Sequence, residues 1–299
     1  MKNNKNFGYL AVILSNIIIG LSFLFTKTAV SITNPYDTLA MRFTISFGVI
    51  LLAYLFKIIK LNFKGKNILK LVIISIFFPS GFFLLQSIGL QFINSSEAGI
   101  ISALSPVLIL ILSIIFLKEN VNFKQIISII ISIFGVIFIF YMKGNVLNFN
   151  NIKGIIFIFL SCVCVAIASV LSRKYSKEFT PIEICFFMQL FGFLAFFILE
   201  IYKGFGIRSG FNLFSNTSFT IAIVYLAIPC TLLTAILNNY ALSKVEASKV
   251  GVFANISTIV SIVAGALILK EQIMYYHILG SILIIGGIIG NCYFGNKSK

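Results

Sequence analysis

The sequence has no tryptophan, one histidine and only eight acidic residues among its 299 positions. Charged residues of both signs make up 10% of the chain, whereas apolar residues make up 59% and the mean hydropathy is +1.07. A soluble domain could not hide that much apolar surface, because too few charged residues remain to cover it. The composition therefore predicts a protein that crosses the membrane several times.

Side chains suited to catalysis or metal binding are also scarce. The one histidine, His277, lies near the start of an apolar run, and no Cys-x-x-Cys pair occurs. The five cysteines lie in apolar runs, where cysteine usually serves as a small core residue. Because no cluster of His, Asp and Cys is present, a membrane enzyme is a weak alternative, and we expect neither a cofactor nor a metal site.

Ten apolar segments can be drawn along the chain. A helix rises about 1.5 Å per residue, so a segment of about 20 residues can cross the roughly 30 Å of a bilayer core. The alternation expected of barrel strands is absent, which predicts an all-α fold. The predicted spans are 8–30, 36–57, 68–92, 95–117, 123–142, 152–172, 181–202, 216–242, 246–269 and 273–294.

Two parts of the chain, 95–137 and 247–289, are similar at a shift of 152 residues. Each consists of an apolar run, an elbow with the sequence Leu-Lys-Glu and a second apolar run. The two elbows lie at 117–119 and 269–271. Apolar helices resemble one another by chance, but a shared charged elbow at the same spacing favours an internal duplication.

A helix-start signature extends the similarity to the earlier part of each unit. A polar cap residue, a proline at the first helical position and an acid two residues later occur at 34–37 and at 180–183. We therefore predict two five-span units, 1–145 and 146–299, that together form one membrane domain. Because five is odd, the second unit enters the membrane from the opposite side, so the repeats are inverted, as in many secondary transporters.

Positive charge predicts the orientation of the chain. With the N-terminus inside, most lysines and arginines of the loops face the cytoplasm, as the positive-inside rule requires. Both termini are then cytoplasmic, and the net charge of +15 reflects loops that contact anionic lipid headgroups rather than nucleic acid. The loop residues left on the opposite side are Lys143, Lys153, Lys203, Arg208 and Lys270.

Charged residues within the spans are costly in lipid, which makes them candidates for function. Arg42 lies about a turn and a half into the second span, and Lys27 lies near the outer end of the first. Either could attract an anionic group of a substrate. Alternatively, Lys27 extends to the interface, and Arg42 caps carbonyl groups or pairs with Asp37. Glu119 and Glu271 end the fourth and ninth spans, where each is expected to favour the N-terminus of the next helix.

Uncharged polar residues within the spans predict a substrate cavity. Gln86 and Asn238 occupy matching positions at the shift of 152 residues, in the third and eighth spans. Alternatively, such side chains bond to their own helix or hold neighbouring helices together. The candidate cavity residues are Asn16, Gln86, Ser105, Gln189, Asn238, Asn239, Tyr240, Asn255 and Thr258.

Prolines and glycines predict where helices bend or approach one another. Pro79, Pro106 and Pro229 fall inside the third, fourth and eighth spans, where proline kinks a helix and could serve a gate. Gly286 and Gly290 in the last span allow a close helix approach, either within the molecule or across a dimer. The sequence is compatible with either a monomer or a homodimer.

Several motifs together resemble those of a known family. They are Ala40-x-Arg42-Phe43, Ser95-Ser96-Glu97-Ala98, Leu104-Ser105-Pro106, Leu117-Lys118-Glu119, Ala247-Ser248-Lys249 and Leu269-Lys270-Glu271. With the ten spans and the inverted repeat, they resemble the EamA-type transporters of the drug/metabolite transporter superfamily over essentially the full chain. The resemblance implies a plasma-membrane permease, most often an exporter of amino acids or related metabolites, that works by alternating access. Members often carry tryptophan in spans one and six, where this chain has none.

We therefore expect a secondary transporter of a small polar metabolite, exporting amino acids or related compounds across the plasma membrane of a bacterium. No ATP-binding motif is present, so energy comes from a gradient, with protons as one candidate, or transport is downhill. No acid lies within the first span, where a small proton–cation antiporter carries one. The alternatives are a multidrug exporter of lipophilic cations and an importer of a sugar, nucleoside or vitamin.

Overall fold

The computed structural model describes residues 2–93, 95–142, 152–202, 213–269 and 273–296, and all regular elements within these ranges are helical. The first half of the chain contains seven helices and one π-helical stretch, Ile76–Gly81, which joins α3 to α4. The helices are α1 (Lys2–Ile32), α2 (Pro35–Leu55), α3 (Leu69–Ser75), α4 (Phe82–Gly89), α5 (Ser95–Ser102), α6 (Ser105–Leu117) and α7 (Phe123–Met142).

The second half repeats this order of long and interrupted helices. Its π-helical stretch, Ile228–Leu233, lies 152 residues after the first one and joins α10 to α11. The helices are α8 (Ile152–Tyr175), α9 (Pro181–Tyr202), α10 (Thr217–Ala227), α11 (Thr234–Lys244), α12 (Ala247–Phe253), α13 (Ile256–Leu269) and α14 (Tyr275–Asn296).

In the described part of the chain, nine helical segments are long and apolar enough to cross a membrane. The predicted span 95–117 is instead divided into α5 and α6 by a turn at Ala103 and Leu104. Of these two helices, α6 is apolar throughout, but it is shorter than the nine segments that could cross a membrane. The fold is therefore a polytopic, all-helical membrane fold. The count of ten spans and the cytoplasmic termini stay predictions.

Local sequence explains where several helices begin. The side chain of Asn34 accepts hydrogen bonds from the backbone N–H groups of Tyr36 and Asp37, and Pro35 opens α2. At the start of α9, Thr180 and Glu183 accept hydrogen bonds reciprocally from each other's backbone N–H groups. Both predicted helix starts are confirmed, because each satisfies N–H groups that a helix cannot bond internally.

Prolines explain the two π-helical stretches and the start of α6. Pro79 lies inside the first stretch, where Phe78 has an extended backbone conformation, and Pro229 lies at the start of the second. Pro106 does not interrupt a helix, since it lies in the first turn of α6, where the missing N–H costs nothing. The predicted kink is therefore confirmed at Pro79, whereas Pro229 begins a π-helical stretch and Pro106 opens a helix.

The first span of each half packs mainly on the other half. Helix α1 contacts α10, α11 and α13 extensively but touches α2 only slightly, whereas α8 packs on α4 and α6. The second spans behave in the same way at the π-helical stretches: α2 contacts Ile228–Leu233, and α9 contacts Ile76–Gly81. The two halves are thus interlocked rather than side by side.

Helices α7 and α14 form the largest helix–helix contact of the described structure. A methyl group added at Gly287 would lie 2.6 Å from the Cβ of Ser132, and one at Gly290 would lie 2.6 Å from the hydroxyl of Ser128. At Gly286, by contrast, such a methyl group would meet nothing within 4 Å. The predicted close approach therefore uses Gly287 and Gly290 rather than Gly286, which faces outward.

Adjacent glycines provide a test of this packing. We expect Gly287→Ala to lower the unfolding free energy by about 1–3 kcal/mol, as overpacking in a tight contact does. Gly286→Ala is the matched control, because it changes the same residue type one position away in open space. The measurement is the apparent melting temperature in detergent; equal melting temperatures for the two variants would contradict the close approach at Gly287.

Candidate functional site

The guanidinium of Arg42 lies between the two halves of the molecule. Its Nε donates a hydrogen bond to the hydroxyl of Thr231 in the second π-helical stretch. One terminal nitrogen lies 3.4 Å from the sulfur of Cys230, and the guanidinium carbon lies 5.1 Å from the ring centroid of Phe83. The latter distance is that of a cation–π contact. The group is only half-buried, so part of it stays accessible.

The structure also decides between the alternatives for Arg42. Asp37 does not pair with it, because the Asp37 carboxylate accepts hydrogen bonds from Thr33 (2.9 Å) and the Asn34 amide (2.8 Å) instead. Among the described residues, Arg42 forms no ion pair with any carboxylate. The membrane interior therefore holds a positive charge that the described protein does not neutralise.

The hydroxyl of Thr231 has two roles in this arrangement. It accepts the hydrogen bond from Arg42, and it donates one of 2.7 Å to the carbonyl of Leu226, five residues earlier. Pro229 has no N–H group to donate to the carbonyl of Tyr225, four residues earlier, and the carbonyl that Thr231 bonds is the next one along the chain. Thr231 thus joins the π-helical stretch of the eighth predicted span to the charge carried by the second.

An aromatic wall adjoins the Arg42 site. Phe83 and Phe196 both pack on Phe43, with ring centroids 5.6 and 5.2 Å from it. Phe47 stacks on Phe193 at 5.3 Å, one turn of α2 further on. Phe83 contacts the cation, and through it the aromatic rings of α2, α4 and α9 form one continuous apolar surface beside the site.

Two of the predicted amides stay available to a ligand. Gln86 follows Phe83 by three residues on α4, and Asn238 follows Thr231 by seven, so helical periodicity places each near the face that carries an Arg42 contact. Both side chains are half-buried, and no hydrogen-bond partner for either amide lies within the described ranges. That these two amides line a cavity stays a prediction.

The remaining predicted amides are mostly engaged by the protein itself. Asn16 donates to the carbonyl of Val12 in its own helix at 2.7 Å. Gln189 accepts a hydrogen bond from Ser46 at 2.8 Å and so joins α9 to α2. Asn255 donates to Ser132 at 2.9 Å on α7. Asn16 thus bonds to its own helix, and Gln189 and Asn255 join neighbouring helices. These were the alternatives to lining a cavity.

Four further predicted residues lie at less informative places. The amide of Asn239 donates to the carbonyl of Ala235 at 2.8 Å, while its buried oxygen has no partner. Tyr240 packs against the main apolar core. Ser105 and Thr258 lie half-buried in the first turns of α6 and α13.

Glu119 does not act on the helix that follows it. Its carboxylate accepts hydrogen bonds from the backbone N–H groups of Ala247 (2.8 Å) and Ser248 (3.2 Å) and from the Ser248 hydroxyl (2.6 Å). It therefore caps α12, in the other half, rather than α7. The side chain of Lys27 and the whole of Glu271 lie outside the described residues.

Lys249 is a buried charge that composition alone did not single out. Counted with the basic residues of the cytoplasmic side, it is only 2% exposed within α12. Its ammonium group pairs with Glu246 at 2.5 Å and lies 3.1 Å from the carbonyl of Gly295 at the end of α14. The acid three residues earlier was the available signal, because side chains at that spacing share a helix face.

A polytopic helical fold that holds a partly accessible cation and half-buried amides between two interlocked halves is built as a small-molecule transporter rather than a receptor or an enzyme. Comparison with known proteins agrees. A model of the EamA-like transporter family matches residues 6–141 and 152–293. The chain therefore belongs to the EamA-like transporter family, as its motifs predicted.

Similar proteins carry the same general designation. One is "Uncharacterized transporter YcxC" of Bacillus subtilis, 36% identical over 100% of this chain and 97% of that protein. Another is an uncharacterized transporter of Archaeoglobus fulgidus, 28% identical over 90% of this chain and 92% of the relative. One crystal structure superposes with a TM-score of 0.83 at 16% identity, covering 100% of this chain and 99% of its own, which shows the fold alone.

These findings define the class of the protein. It is a bacterial multi-pass membrane transporter, and it is not an enzyme. Its ligand is a small molecule that must be bound within the membrane domain.

The double role of Thr231 gives a test of the site's construction. We expect Thr231→Val, which removes both hydrogen bonds, to destabilise the protein by about 0.6–1.7 kcal/mol, the range measured for such bonds in membranes. Thr231→Ser keeps the hydroxyl and should retain most of the stability. Thermal unfolding in detergent measures both, and a Val variant as stable as the Ser variant would exclude a structural role of the hydroxyl.

Proposed function

We propose that the protein exports a small polar metabolite that carries a carboxylate, with amino acids and related compounds as the leading class. The observation that carries this proposal is the guanidinium of Arg42, which lies between the halves without a carboxylate partner among the described residues. A charge in that environment is costly unless an opposite charge joins it. The substrate would supply that charge.

The hydrogen bonds of Arg42 leave some of its donors for such a ligand. Two of the five N–H donors of the guanidinium are directed at Thr231 and Cys230. The other three have no partner in the described part of the chain, and a guanidinium binds a carboxylate through two parallel hydrogen bonds. The hydrogen bond from Nε to Thr231 orients the guanidinium before the ligand binds, and this lowers the entropy lost on binding.

The rest of the site suits the remainder of an amino acid. The amides of Gln86 and Asn238 could accept hydrogen bonds from an ammonium group or donate them to a polar side chain. The ring of Phe83 contacts the cation and continues into the aromatic wall. A site with one charge, a few polar groups and apolar walls is typical for small ligands.

We also propose the predicted architecture of ten spans in two inverted units, 1–145 and 146–299, with both termini in the cytoplasm. The family match falls into two segments, 6–141 and 152–293, and the π-helical stretches recur 152 residues apart. Both features support the duplication. Inverted repeats bind their substrate between the units and move against one another, so that access alternates between the two sides.

The energy for transport is proposed to come from an ion gradient, with protons as one candidate, or from the substrate gradient itself. Export of lipophilic cations is disfavoured, because the uncompensated charge of Arg42 would repel them. Import of a sugar, nucleoside or vitamin is less favoured because a neutral ligand would leave the same charge unpaired. A monomer and a homodimer are both compatible with this site.

Ligand-induced stabilisation of the purified protein tests the proposal. A ligand that binds only the folded state raises the melting temperature. We expect stabilisation by one or more carboxylates in a panel of amino acids, nucleosides, sugars and lipophilic cations. Arg42→Gln should weaken that binding roughly 30-fold or more, since it removes one partner of a buried charge pair.

Matched variants sharpen the result. Asn238→Ala should also weaken binding, whereas Asn16→Ala should not, because the Asn16 amide bonds only to its own helix. Uptake of the same ligand into proteoliposomes, with and without a pH gradient, then gives direction and coupling. Stabilisation by lipophilic cations alone, or carboxylate binding that survives Arg42→Gln, would overturn the proposed site.

A further inference from the structure

Among the described residues, two carboxylates each accept three hydrogen bonds across the two halves: Glu183 from Asn62 and Lys66, and Glu119 from the start of α12. The Glu119 carboxylate, in the elbow between α6 and α7, accepts its three hydrogen bonds from Ala247 and Ser248, at 2.6–3.2 Å. Hydrogen bonds to an ionised group are about twice as strong as neutral ones. Glu119 contributes nothing comparable to the neighbouring α7, whose first turn is capped by Asn122 and Gln125.

The same elbow holds a second element of the other half. The Asn122 amide donates to the carbonyl of Phe294 at 2.8 Å, near the end of α14. Lys249, one residue after Ser248, is bound to the carbonyl of Gly295 and to Glu246. The elbow, the start of α12 and the end of α14 therefore form one connected polar contact at a single end of the bundle.

We propose that Glu119, Ala247 and Ser248 form an interhalf latch that holds this end of the transporter closed and must open once in each transport cycle. The proposal rests on the proposed alternating-access function. Its basis is position: α6 and α12 belong to different units, so any rocking of one unit against the other at this end separates the carboxylate from its three donors. By the predicted topology this is the cytoplasmic end.

The chemistry suits a reversible contact. Both partners can be hydrated when they separate, because a carboxylate, a hydroxyl and N–H groups at a membrane surface can form hydrogen bonds with water instead. The net contribution of each bond is therefore modest, and an equilibrium between closed and open states stays accessible. A contact made of buried apolar side chains could not exchange partners with water in this way.

Distance measurements across the latch test the proposal. Bio-orthogonal spin labels at Asn120, in the elbow, and Lys244, at the end of α11, report the separation without using the native cysteines. We expect one short-distance population in the unaltered protein. Glu119→Ala should raise the ratio of longer-distance to short-distance molecules at least about tenfold, because it removes three charged hydrogen bonds and the loss of even one favouring the closed state gives a change of about that size.

Milder variants and a control keep the test decisive. Ser248→Ala removes one of the three bonds and should give a smaller shift in the same direction, even if Glu119→Ala folds poorly. Glu178→Gln is the control: its ion pair with Lys70 also joins the two halves, but it is exposed and therefore contributes little. It should leave the distribution unchanged.

Two outcomes would overturn the latch. Unchanged distances in both Glu119→Ala and Ser248→Ala, with only a lower melting temperature, would mean a static helix cap. An equal shift in Glu178→Gln would mean that any lost acid at this surface has the effect. The Arg42 ligand test is independent: if carboxylates fail to bind while the distances shift as expected, the substrate proposal fails and the latch stands.

Discussion

Backbone polar groups that proline frees inside a membrane have no water to bond with, and this constraint organises the centre of the molecule. In the π-helical stretch beside Pro229, the hydroxyl of Thr231 donates a hydrogen bond to a backbone carbonyl. The same hydroxyl accepts a hydrogen bond from Arg42 of the other half. At the kink beside Pro79, Gly192 of α9 packs against the proline ring so closely that a methyl group there would lie 2.9 Å from it. The second span of each half thus contacts the proline-containing helix of the other half.

Interlocking follows from that arrangement and extends along the molecule. The exchange of α1 and α8 between the halves means that neither half can bury its apolar surfaces alone. The α7–α14 pair joins the last spans through glycines, while the elbow at Glu119 joins the halves through charge. Tight apolar packing at one place and exchangeable polar contacts at another are what a protein needs if its halves are to move without separating.

The candidate site shows how far residue type alone can lead. Arg42 was identifiable because a charge in an apolar span is costly, but its partners Thr231, Cys230 and Phe83 lie about 40 or 190 positions away in the chain. Of the predicted amides, Gln86 and Asn238 have no hydrogen-bond partner among the described residues, whereas Asn16, Gln189 and Asn255 are bound by the protein. All are polar residues in apolar helices, so composition could not separate them.

The sequence by itself determined the membrane class, the helical spans, the capped helix starts and the kink at Pro79, because each depends on local hydropathy or on backbone groups a few residues apart. Only the tertiary structure decided that Glu119 caps a helix 128 residues later, that Lys249 is buried and that Gly287 rather than Gly286 faces α7. Those outcomes depend on which helix faces meet, and the rotation of one apolar helix against another leaves no periodic signal in a chain that is apolar on all sides.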